Sequence, residues 1–135
     1  MERKIRLNPK LVVERLRTAF NDHNVDALVD CCDSFYLGEE PAHPNRAFRG
    51  REKGRTQWSA ILERVPNFQT EIVRTATDDD VVWTEWYWHG RATDKTKLEM
   101  RGVTILGVKE NRIMWSRIYM EPVQAAGPGL EAAAG

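Results

Sequence analysis

The sequence predicts an α+β domain in which helices come first and an antiparallel sheet follows. Apolar residues recur at helical spacing up to about residue 65, and from Phe68 onward the chain reads as strand and turn. Three segments within 81–122, VVWTEWYWHGRA, LEMRGVTILGV and RIMWSRIYMEP, are strands with bulky residues on both faces. Along the first of them Val82, Thr84, Trp86 and Trp88 share one face and Val81, Trp83, Glu85 and Tyr87 the other, because side chains alternate along a strand. A sheet that is apolar on both faces needs two covers. In so short a chain these are its own helices and, most simply, a second copy of itself.

Asn8-Pro9 is a helix start, since Asn accepts from free N–H groups and proline loses nothing in the first turn. The helix runs to about Asn21 with Leu11, Val12, Leu16, Ala19 and Phe20 on its apolar face. A second helix follows, capped by Asn24, with Val25, Leu28, Val29 and Cys32 at helical spacing. Ser34 to Leu37 reads as a short strand. The next stretch, GEEPAHPNRAFRG, reads as loop because Gly38, Pro41, Pro44 and Gly50 oppose regular structure. A third helix runs from about Arg51 to Arg64, buries Trp58, Ile61, Leu62 and Val65, and is stopped by Pro66. Turns fall at Asp78-Asp79-Asp80, Thr93 to Thr96 and Lys109 to Asn111. Residues 123–135 carry little that could anchor them and read as a disordered tail, which leaves one domain over 1–122.

At 135 residues with 41% hydrophobic composition, the chain suffices for one real core. Twenty basic and twenty acidic residues cancel, which argues against nucleic acid or an anionic membrane as partner. No run approaches the ~18 apolar residues of a membrane span. Glu14, Arg15 and Arg17 interrupt the stretch where a secretion signal needs apolar residues, so a cytoplasmic location is expected. Cys31 and Cys32 are adjacent and read as free thiols, since neighbouring cysteines bridge only with strain and lack C-x-x-C spacing. No metal-binding histidine spacing occurs, and neither a metal nor another cofactor is expected.

The order helix, helix, short strand, loop, helix and long meander resembles the nuclear transport factor 2-like superfamily, specifically its SnoaL-like group. The phrases that carry the resemblance are AFNDHNVDALVD, FRGRE and WSRIYMEP, and it covers about residues 8–122. It implies a curved antiparallel sheet forming a cone, three helices closing a pocket, and often a dimer across the outer face. The same cone hosts isomerases, dehydratases, cyclases, epoxide hydrolases and non-enzymatic binders. Where limonene epoxide hydrolases keep an arginine and two aspartates, this chain has Trp86, Trp88 and Ile118, while Tyr36 matches a tyrosine of that family. Glu40-Pro41 is similar to the carboxylate-proline base of ketosteroid isomerases, whose oxyanion donors fall here on Leu16 and Val103. The catalytic aspartate of polyketide cyclases falls near Ile118.

On this reading Trp86 and Trp88 face the pocket together with Arg101, Val103, Ile105, Ser116 and Ile118, and Tyr36 and Trp58 complete the wall. Two hypotheses follow. In the first, a cofactor-independent isomerase, lyase or cyclase acts on an apolar carbonyl compound, with Glu40 as base, His43 as proton shuttle and Arg101 as electrostatic partner, paired with Glu99 or Glu40. In the second, the domain binds an apolar small molecule without catalysis. Trp83, Glu85, Tyr87, Trp115, Arg117 and Tyr119 form the expected homodimer face, with Glu85 and Arg117 as an ion pair. The basic run Arg46, Arg49, Arg51, Lys53 and Arg55 reads as a solvated face.

Overall fold

A computed structural model describes residues 8–127, 129 and 130. Three α-helices precede most of the sheet: α1 (Pro9–Asn21), α2 (Val25–Asp30) and α3 (Arg51–Arg64). The caps are those the sequence predicts. The Asn8 side chain accepts from the Lys10 amide at 2.9 Å and that of Asn24 from the Ala27 amide at 3.0 Å. One face of α1 differs from expectation, because Val13 is buried and Leu11 is 53% exposed. Positions 12, 13, 16, 19 and 20 lie within one helical stripe, and Leu11 falls at its edge.

The strands are β1 (Cys32–Glu39), β2 (Phe48–Arg49), β3 (Gln69–Asp78), β4 (Val81–Arg91), β5 (Lys97–Lys109) and β6 (Arg112–Pro122). They form one sheet in the order β2-β1-β6-β5-β4-β3. The sheet is mixed rather than wholly antiparallel, because β1 lies parallel to β6. The loop, β2 and α3 separate β1 from the meander, and a return of this length permits a parallel pairing that a hairpin forbids. β1 is also longer than the Ser34–Leu37 segment expected, and β2 is a short edge strand inside the expected loop.

Register shifts between Ile72 and Arg74, between Gly107 and Val108, and between Cys32 and Leu37 increase the twist and curl the sheet. The β5–β6 connection is a two-residue turn in which Glu110 and Asn111 both have positive φ, 50° and 66°, matching the right-handed twist of its strands. Helix α1 packs on β3 and β4, α3 packs on β1, and α2 bridges α1 and α3. Asn21 fastens the end of α1 to β3: its Oδ1 accepts from the Thr70 amide at 2.7 Å and hydroxyl at 3.0 Å, and its Nδ2 donates to the Thr70 carbonyl at 3.0 Å.

Cys31 is buried and Cys32 half-buried, both as free thiols. No described helix is long and apolar enough to cross a membrane. The expected tail at 123–135 falls partly outside the described residues, as do residues 1–7.

Close approach of β5 and β6 depends on Gly102, where an added Cβ would stand 2.0 Å from the Tyr119 carbonyl oxygen. Gly102→Ala is therefore expected to lower stability by about 3 kcal/mol in urea unfolding, since backbone must move to admit the methyl group. Gly54→Ala is the control. Its Cβ meets only the Phe48 ring at 3.6 Å, and alanine favours the helix, so stability should hold or rise by up to about 1 kcal/mol.

Candidate functional site

Between the concave face of the sheet and the helices lies a cavity of about 250 Å³. Strand directions define its two ends. The C-terminal ends of β1, β4 and β6 meet the start of β5 at one rim, which carries Glu39, Glu40, Trp88, Leu98, Met100 and Met120. The opposite end is floored by Leu28, Cys32, Leu106 and Ile113.

The walls are aromatic. Trp58 stands 4.4 Å from Phe20 and 5.9 Å from Trp88, and Trp86 stands 6.2 Å from Trp88, all edge to face. Trp86 Nε1 donates to Thr104 Oγ1 at 2.8 Å. Deep in the cavity the Tyr36 and Ser116 hydroxyls are hydrogen-bonded to each other. Burial pushes the Tyr36 phenol far above its ordinary value of 10.0; the Cys32 sulfur adds to the rise and the Ser116 hydrogen bond opposes it. Burial likewise pushes the Cys32 thiol up to about 12, with Cys31 adding and Arg51 and Arg15 opposing. Both groups are therefore neutral at physiological pH, the phenol as a hydrogen-bonding group and the thiol as an inert wall atom.

The structure brings Tyr36, Trp58, Trp86, Trp88, Ser116, Ile118 and Glu40 together around the cavity. It places Arg101, Val103 and Ile105 elsewhere. Residues directly opposite in an antiparallel pair share a face, and Trp86 stands opposite Gly102 and Trp88 opposite Met100. The inward positions of β5 are thus Leu98, Met100, Gly102, Thr104 and Leu106, while Arg101, Val103 and Ile105 lie on the outer face beside Tyr87, Glu85 and Trp83. Arg101 is exposed and stacks over the Tyr87 ring at 4.1 Å, away from Glu40. The signal that identifies this phase is the alternation Lys97, Glu99, Arg101, whose charges belong in water.

His43 also departs from expectation. Its Nε2 lies 3.0 Å from Glu121 Oε1, outside the cavity lining. Glu40 lines the rim, and its Oε1 lies 2.9 Å from Arg46 Nη1. The expected Glu85–Arg117 pair does not form, because β5 separates the two strands. Glu85 reaches Arg74 on β3 at 3.1 Å, and Arg117 reaches Glu39 on β1 at 3.5 Å. The basic run is partly engaged too, Arg51 with the Cys32 carbonyl and Arg55 with Asp26 and Glu52. Sequence reasoning missed Met100 and Thr104, which follow from the phase of β5, and Met120, which continues the inward phase of Ser116 and Ile118 on β6.

The family profile of the SnoaL-like domain matches residues 13–115, and the chain belongs to that family. No protein of curated function matches the sequence. Among solved structures, an LEH-like epoxide hydrolase of Mycobacterium tuberculosis superposes with a TM-score of 0.73 at 19% identity, covering 84% of this chain and 82% of that one. A polyketide cyclase of Streptomyces antibioticus gives 0.74 at 18% identity, covering 85% and 93%. A SnoaL-like polyketide cyclase of Shewanella denitrificans gives 0.75 at 14% identity, covering 86% and 92%. These similarities establish the cone fold.

The two raised values set a pH dependence. An acid whose pKa is higher folded than unfolded favours the neutral state in the fold, so its contribution is complete below the ordinary value and is lost as pH rises. The windows open near 9.0 for Cys32 and 10.0 for Tyr36. Urea unfolding from pH 8 to 11 should show wild-type stability falling by about 1–3 kcal/mol more than that of Cys32→Ala/Tyr36→Phe. Parallel curves would contradict this assignment.

Proposed function

We propose that this chain binds an apolar small molecule inside the cone, and that binding rather than catalysis is its activity. The observation that carries the reading is the cavity of about 250 Å³ walled by Phe20, Trp58, Phe68, Trp86 and Trp88, an aromatic enclosure with few polar groups. Structural relatives are named for epoxide hydrolysis and polyketide cyclisation, reactions of small organic molecules, which agrees with this use of the fold. The candidate catalytic trio does not assemble. Arg101 lies on the outer face and His43 against Glu121, so of the trio only Glu40 reaches the cavity, beside Glu39, and Arg46 and Arg117 engage these two carboxylates.

Titration with N-phenyl-1-naphthylamine tests the reading. Saturable one-to-one binding with quenching of tryptophan fluorescence is expected, and Ile118→Trp, which fills the cavity, should weaken it at least tenfold while the fold persists. A folded wild-type protein that binds no apolar probe would end the reading.

The outer face completes the proposal. Trp83 and Tyr119 are 48% and 39% exposed, and Val103 and Ile105 lie between them. Glu85, Arg101, Arg117 and Glu121 put both signs of charge on the same face, so it complements a second copy of itself. Sedimentation at micromolar concentration should give twice the 15.6 kDa chain mass, and Tyr119→Asp should give the monomer. A monomeric wild type would remove the homodimer.

A further inference from the structure

The walls of the cavity are apolar, but its rim is charged, and the charges there do not balance. Glu40 is paired with Arg46 at 2.9 Å and Glu39 with Arg117 at 3.5 Å. Each carboxylate of the rim thus has an arginine of its own. Helix α3 presents Gly54, Gln57, Trp58, Ile61 and Arg64 to the cavity as one stripe at helical spacing. The last of these reaches the rim, because the Thr93 amide in the β4–β5 connection donates to the Arg64 carbonyl at 2.9 Å. The Arg64 side chain is exposed and makes no ion pair or hydrogen bond among the described residues. Asp94 feels its charge, but the Asp94 carboxyl is held below its ordinary range first by hydrogen bonds from Thr96, whose amide donates at 2.9 Å, and only in smaller part by Arg64. A cation in the last turn of α3 suits the helix dipole, yet the dipole uses none of the N–H donors of a guanidinium. Arg51, also in the lining, stands at the floor end and donates to the Cys32 carbonyl at 3.2 Å. The rim therefore carries a cation that none of its own carboxylates meets.

We propose that the ligand of this cavity is an amphipathic anion, with an apolar body held among the aromatic walls and a single carboxylate left at the rim against Arg64. The inference rests on the binding function proposed above and adds the class of molecule. The pairing at the rim decides the sign of the charge. An ammonium group would have to displace Arg46 or Arg117 from its carboxylate, whereas a carboxylate meets a guanidinium that gives up no partner and offers parallel N–H donors. The apolar walls decide its place. A carboxylate drawn in among Phe20, Trp58, Phe68, Trp86 and Trp88 would lose its water without a partner, while at the rim it keeps water on one side and gains Arg64 on the other. A pair so exposed contributes modestly, so the body supplies most of the affinity and Arg64 the preference.

The set 2-naphthylacetate, 2-naphthylacetamide and 2-(2-naphthyl)ethylamine keeps the body constant and changes the charge. Calorimetric titration near neutral pH and at low salt should show wild type binding the carboxylate about fivefold more tightly than the amide, and the amine no more tightly than the amide. Arg64→Gln should bind carboxylate and amide alike. Its fold should persist, because the exposed Arg64 side chain supports no other residue. Lys53→Gln removes the same charge from an exposed position of α3 outside the cavity lining and should keep the preference. A wild type that binds N-phenyl-1-naphthylamine but does not prefer the carboxylate, tighter binding of the amine, or a preference that survives in Arg64→Gln would overturn the role of Arg64 and leave the cavity as a binding site. Failure of N-phenyl-1-naphthylamine and all three naphthyl compounds to bind would instead remove the binding function and the inference with it.

Discussion

Everything about this site depends on the register between β4 and β5. The connection over residues 92–96 sets Arg91 opposite Lys97, and from there even-numbered residues of one strand face even-numbered residues of the other. Had the register slipped by one residue, every side chain of β5 would have changed faces. The observed phase puts Met100, Gly102, Thr104 and Leu106 inside and Glu99, Arg101, Val103 and Ile105 outside. It supplies Trp86 with its acceptor in Thr104 and turns Arg101, expected to face inward, out onto Tyr87. An apolar cavity and a mixed-charge outer face are two results of one pairing.

Most of the fold was legible because its signals are local. The caps at Asn8 and Asn24, the stop at Pro66 and the three turns of the meander each depend on residues within a few positions of one another, and each falls where the sequence predicts. What was not legible is long-range. The parallel pairing of β1 with β6 joins residues as distant as Leu37 and Trp115, and the small edge strand β2 folds back on β1 across the proline-containing loop, so no local periodicity announces either. The phase of β5 falls between these cases. LEMRGVTILGV places apolar residues on both of its faces, so periodicity alone does not choose, whereas the charged alternation of Lys97, Glu99 and Arg101 does.

The candidate site divides in the same way. Trp86, Trp88, Ser116 and Ile118 share the inward phases of β4 and β6, which follow from the strand pattern, and they meet at the cavity as expected. Glu40 reaches the rim because it continues the alternation of Tyr36 and Gly38 beyond the end of β1. His43 does not, because the Pro44–Arg46 turn carries it outward toward Glu121. Ion pairs were the least legible feature. Glu85, Arg117 and Glu40 all found partners on neighbouring strands or loops rather than those that alternation on one face suggests, since a long side chain pairs with whatever opposite charge the adjacent backbone brings near.

Two tryptophans on one strand face would ordinarily fill so small a cone. They do not, because the strands that face them carry small residues, Thr104 and Ser116, on the concave face. The indoles lie against one another and against Phe20, Trp58 and Phe68 as edge-to-face or tilted walls, and the volume their neighbours give up stays open. Such an arrangement forgoes the packing that larger residues at 104 and 116 would supply, a loss that grows with the volume left empty. It also keeps polar groups at Tyr36, Ser116 and Trp88 where apolar side chains would cost less. A core selected for stability alone would have filled that volume, and the open cavity, held by an otherwise well-packed aromatic cluster, is the space on which the proposed binding rests.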